Sequence, residues 1–112
     1  MGREVIYIAS PYSHTDPWVR EERYKQTLDY VAKCALKNEC VFSPIVHTHD
    51  LGKKLKMPHD FWMALDLPVL RRCDKVRVLC LEGWQYSKGV AEEIKEAQAY
   101  GIPVEHINPE LV

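Results

Sequence analysis

Short apolar runs, each halted by a turn and followed by a stretch with helical spacing, restrict the fold of this chain more than any other feature. Val5-Ile6-Tyr7-Ile8-Ala9 is continuously apolar and stops at Ser10-Pro11, as a strand buried on both faces does. Thr15-Asp16-Pro17 supplies a helix start: a capping side chain, then a proline whose missing N–H costs nothing in the first turn. Leu28, Val31, Ala32, Ala35 and Leu36 recur at i, i+3, i+4, i+7 and i+8, which predicts the buried side of a long helix. Asn38 tolerates the left-handed conformation that ends it. Cys40-Val41-Phe42 predicts a second strand closed by Ser43-Pro44, and residues 45–57, without steady period, are expected to be extended. Pro58 opens a second helix with Phe61, Trp62, Leu65 and Leu67. Within it Pro68 cannot donate to the Ala64 carbonyl, which predicts a kink or break. Val76 to Leu81 reads as a third strand, Ser87 to Tyr100 as a third helix ended by Gly101, and Pro103 to Ile107 as a fourth strand.

Strands alternating with helices predict an α/β fold: a three-layer, flavodoxin- or Rossmann-like parallel sheet of about four to five strands with helices on both faces. Its 112 residues suffice for one domain spanning 1–112, with a real core but no room for a second. Such sheets bind ligands beyond the carboxyl ends of their strands, where strand order reverses. Here Ser10 to His14, Pro44 to Asp50 and Glu82 to Gly89 build that edge.

The 15 basic and 16 acidic side chains nearly cancel, whereas nucleic-acid polymers are bound by a basic excess or stripe. A small ligand with one or two charges fits this balance; a nucleic-acid polymer does not. No apolar run approaches the roughly 20 residues of a membrane span. The N-terminal apolar run is too short for a secretory signal, and Ile6 stands where a myristoylation pattern after Gly2 needs Ser or Thr. Cys34, Cys40, Cys73 and Cys80 form no C-x-x-C pair and lie in or beside apolar stretches, as free thiols in a reducing compartment do. A cytoplasmic protein without membrane partner is expected.

Three clusters carry chemistry. The segment Gly83-Trp84-Gln85-Tyr86-Ser87-Lys88-Gly89-Val90-Ala91-Glu92-Glu93 joins the third strand to the third helix. A helix N-terminus there offers free N–H groups, Gly89 allows close approach to the backbone, and Ser87 suits a cap, a phosphate contact or both. Val90, Ile94, Ala97 and Gly101 share the buried face; Glu93 lies about 70° from its centre and Glu92 nearly opposite, in solvent. That place suits chemistry, or an ordinary boundary pairing with Lys88 or Lys95, and spacing alone favours the pairing. His59, Trp62, Met63 and Asp66 share a face of the second helix, with Asp66 close to the disturbance at Pro68. His47-Thr48-His49-Asp50 is dense enough in ligating side chains for a metal, yet His47 and His49 on an extended segment point apart, so hydrogen bonding to a sugar or base is expected and no metal. Ser10-Pro11-Tyr12-Ser13-His14 has the position to cup a phosphate or ribose but lacks the glycines of a dinucleotide fingerprint or P-loop. Arg20 and Arg23 have anionic ligands or neighbouring glutamates as partners.

Ile6 through His14, then Arg23, then Val41-Phe42-Ser43-Pro44-Ile45-Val46-His47-Thr48-His49 resemble a branch of small, mostly uncharacterised bacterial and phage proteins in the nucleoside 2-deoxyribosyltransferase-like superfamily. So do Phe61-Trp62 with Asp66, Cys73-Asp74, and Gly83-Trp84 followed by Ser87, Gly89 and Glu93. The matching residues run in order over nearly the whole chain. The first loop departs from the pattern: it reads Ser-Pro-Tyr-Ser-His where better-known hydrolases of that superfamily have a glycine-containing loop with an arginine. Asn38-Glu39 stands where relatives usually turn on a glycine.

The resemblance implies N-glycosidic bond cleavage or base transfer on a (2′-deoxy)nucleoside or nucleoside monophosphate, by double displacement. It assigns Glu93 as nucleophile, Asp66 to the base or sugar, Tyr7 to holding Glu93, and Ser87 to the phosphate. Ser10, Tyr12, His14, Arg23, His47, His49, Trp62, Trp84 and Gly89 complete the expected substrate-binding set, with the aromatic groups stacking on the base. No metal or organic cofactor is implied, and a homo-oligomer is. Two other readings stand beside it: a non-catalytic nucleotide-binding module, and a metal-assisted hydrolase using His47, His49 and Asp50.

Overall fold

The first apolar run forms the central strand β1 (Val5–Ala9) because neither of its faces meets water: Ile6, Tyr7, Ile8 and Ala9 are all buried. The computed structural model describes residues 3–112. Met1 and Gly2, on which the absence of a myristoylation pattern partly rests, lie outside the described residues. The chain continues through α1 (Pro17–Leu36), β2 (Cys40–Phe42), α2 (Pro44–Lys54), α3 (His59–Leu70), β3 (Lys75–Leu79), α4 (Lys88–Ala99) and β4 (Val104–Ile107). The four strands make one parallel sheet in the order β2-β1-β3-β4, registered as Tyr7 to Phe42, Tyr7 to Val76 and Val76 to Val104.

Side-chain alternation along β1 and β3 sorts the core into two layers. Tyr7, Ala9, Val76 and Val78 pack with Leu70 of α3 and with Val90 and Ala97 of α4. Ile6, Ile8 and Leu79 pack on the opposite face with Tyr30 and Cys34 of α1. The result is the expected three-layer α/β sandwich, with β1 leading to one side of the sheet and β3 standing on the other. The crevice outside the carboxyl ends of β1 and β3 is thus the place where strand order reverses.

Local chemistry accounts for most boundaries. Asp16 caps α1 by accepting from the Trp18 N–H with Pro17 just inside, and Asn38 turns left-handed after it at φ 64°. Asp74 accepts from Val5 N at 2.7 Å and so pins the start of β1. Four expectations are corrected. Residues 44–54 are helical, not extended: Ser43 caps α2 through Val46 N, and Pro44 sits at its start. The buried side of α1 is Thr27, Tyr30 and Cys34, while Leu36 is 89% exposed. Thr27 takes the core position because its hydroxyl donates to the Arg23 carbonyl at 2.8 Å and can accept from the Ser10 hydroxyl at 3.3 Å. Pro68 does not break α3, which runs on for two residues to Leu70, since a proline one turn from a helix end removes only one intrahelical bond. The third strand stops at Leu79, two residues early. Among the described residues, no helix is long and apolar enough to cross a membrane.

Candidate functional site

Glu93 sits one turn into α4, on the face that also carries Val90 and Ala97, and is only 4% exposed. Its partner is not Lys88 or Lys95. Tyr7 donates its phenolic O–H to Glu93 Oε2 at 2.5 Å. The phenol comes from the middle of the sheet, where burial and the adjacent Glu93 carboxyl raise its proton affinity so that it remains a donor. With Tyr7 on Oε2, no bond among the described residues occupies Oε1.

Asp66 reaches the same cavity from α3 and is 8% exposed. No hydrogen bond or ion pair among the described residues engages its carboxyl. Burial pushes it up to about 6, with His47 pulling downward. Glu93 is pushed up to about 8 by burial; the Tyr7 hydrogen bond opposes this, and the charges of Asp66 and Glu92 add to it. Two carboxyls facing one cavity without a cation between them carry one proton between about 6 and about 8, and it rests mainly on Glu93.

The cavity is about 930 Å³ and opens at the carboxyl end of the sheet, the size of a small-molecule site. Ser10, Tyr12, His49, Trp62, Asp66, Ser87, Gly89 and Glu93, all singled out from the sequence, line it. Several are held in place by their neighbours. Ser87 caps α4 by accepting from Val90 N at 3.2 Å. Trp62 donates from Nε1 to the Met57 carbonyl and stands edge-on to Phe61. His49 is buried, stacks on Tyr24 with centroids 3.8 Å apart, meets the Tyr12 hydroxyl at Nδ1 (2.8 Å) and Glu21 at Nε2 (3.2 Å). Both of its ring nitrogens are committed, so His49 positions Tyr12 and does not itself contact a ligand through nitrogen.

Four expected ligand contacts are placed elsewhere. Arg23 donates to the carbonyls of Ser13 and Glu82, tying the loop after β1 to the loop after β3. Its guanidinium lies beside Gly83, whose φ of 87° favours glycine; a Cβ there would stand 2.7 Å from Arg23 Nη2 and push the end of that side chain aside. Trp84 packs against the core and the His106 ring. His14 accepts from Asp16 N and closes its own loop. His47 lies against Phe42, exposed, and acts on Asp66 only through its charge. On α2, His47 and His49 still project to opposite sides. Among the described residues no group of three or more His, Cys, Asp or Glu side chains is arranged to hold a metal, so the donor set His47, His49 and Asp50 does not converge.

Other lining residues carried little individual signal. Arg20, Lys53, Lys56 and Lys88 surround the opening, while Asp66 and Glu93 are the only acids of the lining. His59 also lines it and pairs with Glu92 at 3.2 Å, so Glu92 is half-buried and occupied instead of solvated. Lys53 lies in the helix α2 that was not foreseen and Lys56 just beyond its end, and that hid their place with Lys88 in the lining.

No curated protein matches the sequence. Residues 4–108, nearly the whole chain, match the family described as Domain of unknown function (DUF1937), and the protein belongs to that family.

Proposed function

We propose that this protein cleaves the N-glycosidic bond of a (2′-deoxy)nucleoside 5′-monophosphate or nucleoside through a covalent glycosyl–Glu93 intermediate, in the cytoplasm and without a cofactor. One observation carries the reading: a buried carboxylate, held on one oxygen by a strand phenol, faces a ligand-sized cavity together with a second, unpartnered carboxyl. The resemblance to nucleoside 2-deoxyribosyltransferase-like proteins assigns those three side chains, Glu93, Asp66 and Tyr7, the same roles.

In the reactive form the pair's single proton sits on Asp66 instead of Glu93; the free oxygen of ionised Glu93 then attacks C1′ while the C1′–N bond breaks, and Asp66 delivers that proton to the departing base. Tyr7 keeps Glu93 oriented, and its hydrogen bond favours the ionised carboxylate that attack requires. The glycosyl ester is then resolved by water or by a second base. A missing 2′-hydroxyl makes the bond more labile, so a 2′-deoxy substrate is favoured. Trp62 offers a stacking surface for the base. The four cations at the opening favour the phosphorylated substrate, whose charge they offset.

Incubation with a panel of nucleosides and monophosphates, followed by detection of free base, tests the proposal. Base release that Glu93→Ala abolishes while ligand affinity persists supports it. Ligand binding without any base release from the panel identifies a binding module instead, and activity lost to a chelator points to metal-assisted hydrolysis.

A further inference from the structure

We propose that His59, oriented by Glu92, is the base that activates water against the glycosyl–Glu93 intermediate, making the protein a hydrolase in preference to a base-exchanging transferase. The inference rests on the glycosidic reading above and assigns a group that reading leaves idle.

The two neighbouring glutamates of α4 serve different partners. Glu93 turns inward to Tyr7, whereas Glu92 meets His59 Nε2 at 3.2 Å across the α3–α4 contact. A carboxylate only accepts, so Nε2 carries a ring hydrogen, and in the neutral imidazole Nδ1 then presents a lone pair. Among the described residues no hydrogen bond engages Nδ1. The imidazole lines the cavity and is 27% exposed, so solvent reaches it.

Its position relative to the nucleophile follows from Gly89. A Cβ built at Gly89 would stand 3.8 Å from His59 Cε1, which places the ring edge over that glycine. Gly89 and Glu93 are four residues apart on α4, hence on one face and about 5–6 Å apart. Met63 Cε and Ser87 Oγ each lie 3.9 Å from the same point, so the ring edge, the methyl and the hydroxyl together line this end of the cavity. Asp66 lies seven residues beyond His59, roughly 10 Å further along α3. The acid that serves the base and the group that serves water are therefore different side chains on one face of α3; both reach the cavity the base leaves, from which water attacks C1′ opposite the Glu93 ester, with His59 on the side nearer solvent.

The step balances as follows. The water oxygen bonds to C1′ as the C1′–Oε bond breaks, and the electron pair of that bond returns to the Glu93 carboxylate. The water proton passes to His59 Nδ1; Glu92 stabilises the imidazolium, which then loses a proton to solvent. Asp66, having given its proton to the base, is reprotonated from solvent. With water activated by a group of its own, the intermediate need not wait for a second base.

The test mixes wild type, His59→Gln and Glu92→Gln with the common 2′-deoxynucleoside 5′-monophosphates, with and without labelled free base, in rapid-quench and intact-mass experiments. For His59→Gln the expected result is a burst of base stoichiometric with protein, then turnover slowed by about 10²-fold. A sugar-phosphate adduct accumulates, and label enters the nucleotide pool at least as fast as with wild type. Glu92→Gln shows the same pattern at roughly 10-fold. A merely structural role would slow burst and turnover together and leave no adduct, and that result overturns the inference. So does wild-type turnover in both variants. If wild type releases no base from any monophosphate, the glycosidic reading fails, and the role of His59 with it.

Discussion

The two faces of the sheet each hold a polar cluster, and they are built on opposite principles. Behind β3, toward α1, Arg77 reaches Glu39 at 2.7 and 3.0 Å, Glu105 at 3.3 Å and the Tyr30 hydroxyl at 3.3 Å. There the hydrogen bonds from Arg77 hold Glu39 below its usual range, and Lys75 and Arg77 outweigh burial to do the same for Glu105. On the other face, Glu93 and Asp66 share a cavity with a phenol and no cation between them, and burial raises both. The first cluster is matched charge for charge and stabilises the ionised forms. The second holds carboxyls whose ionisation costs free energy in the empty site. A fold gains nothing from that second arrangement, whereas a site that must use one carboxyl as nucleophile and another as acid needs it.

Breaking the second cluster should have the largest effect on activity. Glu93→Gln is expected to lower kcat/KM by about 10⁴-fold or more, measured as base release from the monophosphate that wild type prefers. Asp66→Asn should cost about 10²–10³-fold. The pair works with a single proton. Below about 6 both groups are protonated and the nucleophile is lost; above about 8 both are ionised and the acid is lost. Wild-type kcat/KM is therefore bell-shaped between those limits, and Asp66→Asn should remove one limb.

Breaking the first cluster should reverse the pattern. Arg77→Met leaves Glu39 without its cation, while Glu105 keeps Lys75 at 3.3 Å; it is expected to cost about 1–3 kcal/mol of stability, the lower part of the range because both glutamates are partly solvated. Urea denaturation measures this, and base release should stay within twofold of wild type.

A smaller difference sharpens the comparison through pH. Because the folded Glu93 carboxyl lies near 8 against 4.5 for an ordinary glutamate, the native state binds more protons between those values. Its contribution is fully present below about 4.5 and is lost as pH rises toward 8, a change of a few kcal/mol at most. Glu39 has the opposite sign: its contribution is present above the ordinary value and lost as pH falls through its lowered one. Thermal melts of Glu93→Gln should therefore lose the decline from weakly acid to pH 8, and melts of Glu39→Gln should lose part of the acid limb.

The sheet was legible because β1 and β3 are buried on both faces and their residues are apolar without interruption. The angle of Glu93 on α4 put it at the edge of the buried face but did not separate it from a glutamate paired with a lysine, a distinction only the resemblance made; Ser87 was legible from its place before the helix. The α1 face was misread because periodicity weighs Leu36 above Thr27, although Thr27 satisfies its own hydroxyl and fits beside Ser10. α2 was missed because Ile45, Val46 and Thr48 are β-branched, yet Ser43-Pro44 is the same start signal that announced α1. Arg23 and Trp84 stand outside the cavity lining for a common reason: each packs within the protein, Arg23 beside a left-handed glycine and Trp84 against His106. The Glu92–His59 pair joins residues 33 apart in sequence, and no local spacing reveals it.

Intact-mass analysis of protein quenched during turnover of a 2′-deoxynucleoside 5′-monophosphate, with peptide mapping, tests the central claim most directly. The account predicts one sugar-phosphate unit bound at Glu93 in wild type and none in Glu93→Gln. Base released at an undiminished rate by Glu93→Gln, with no adduct in either protein, would contradict it.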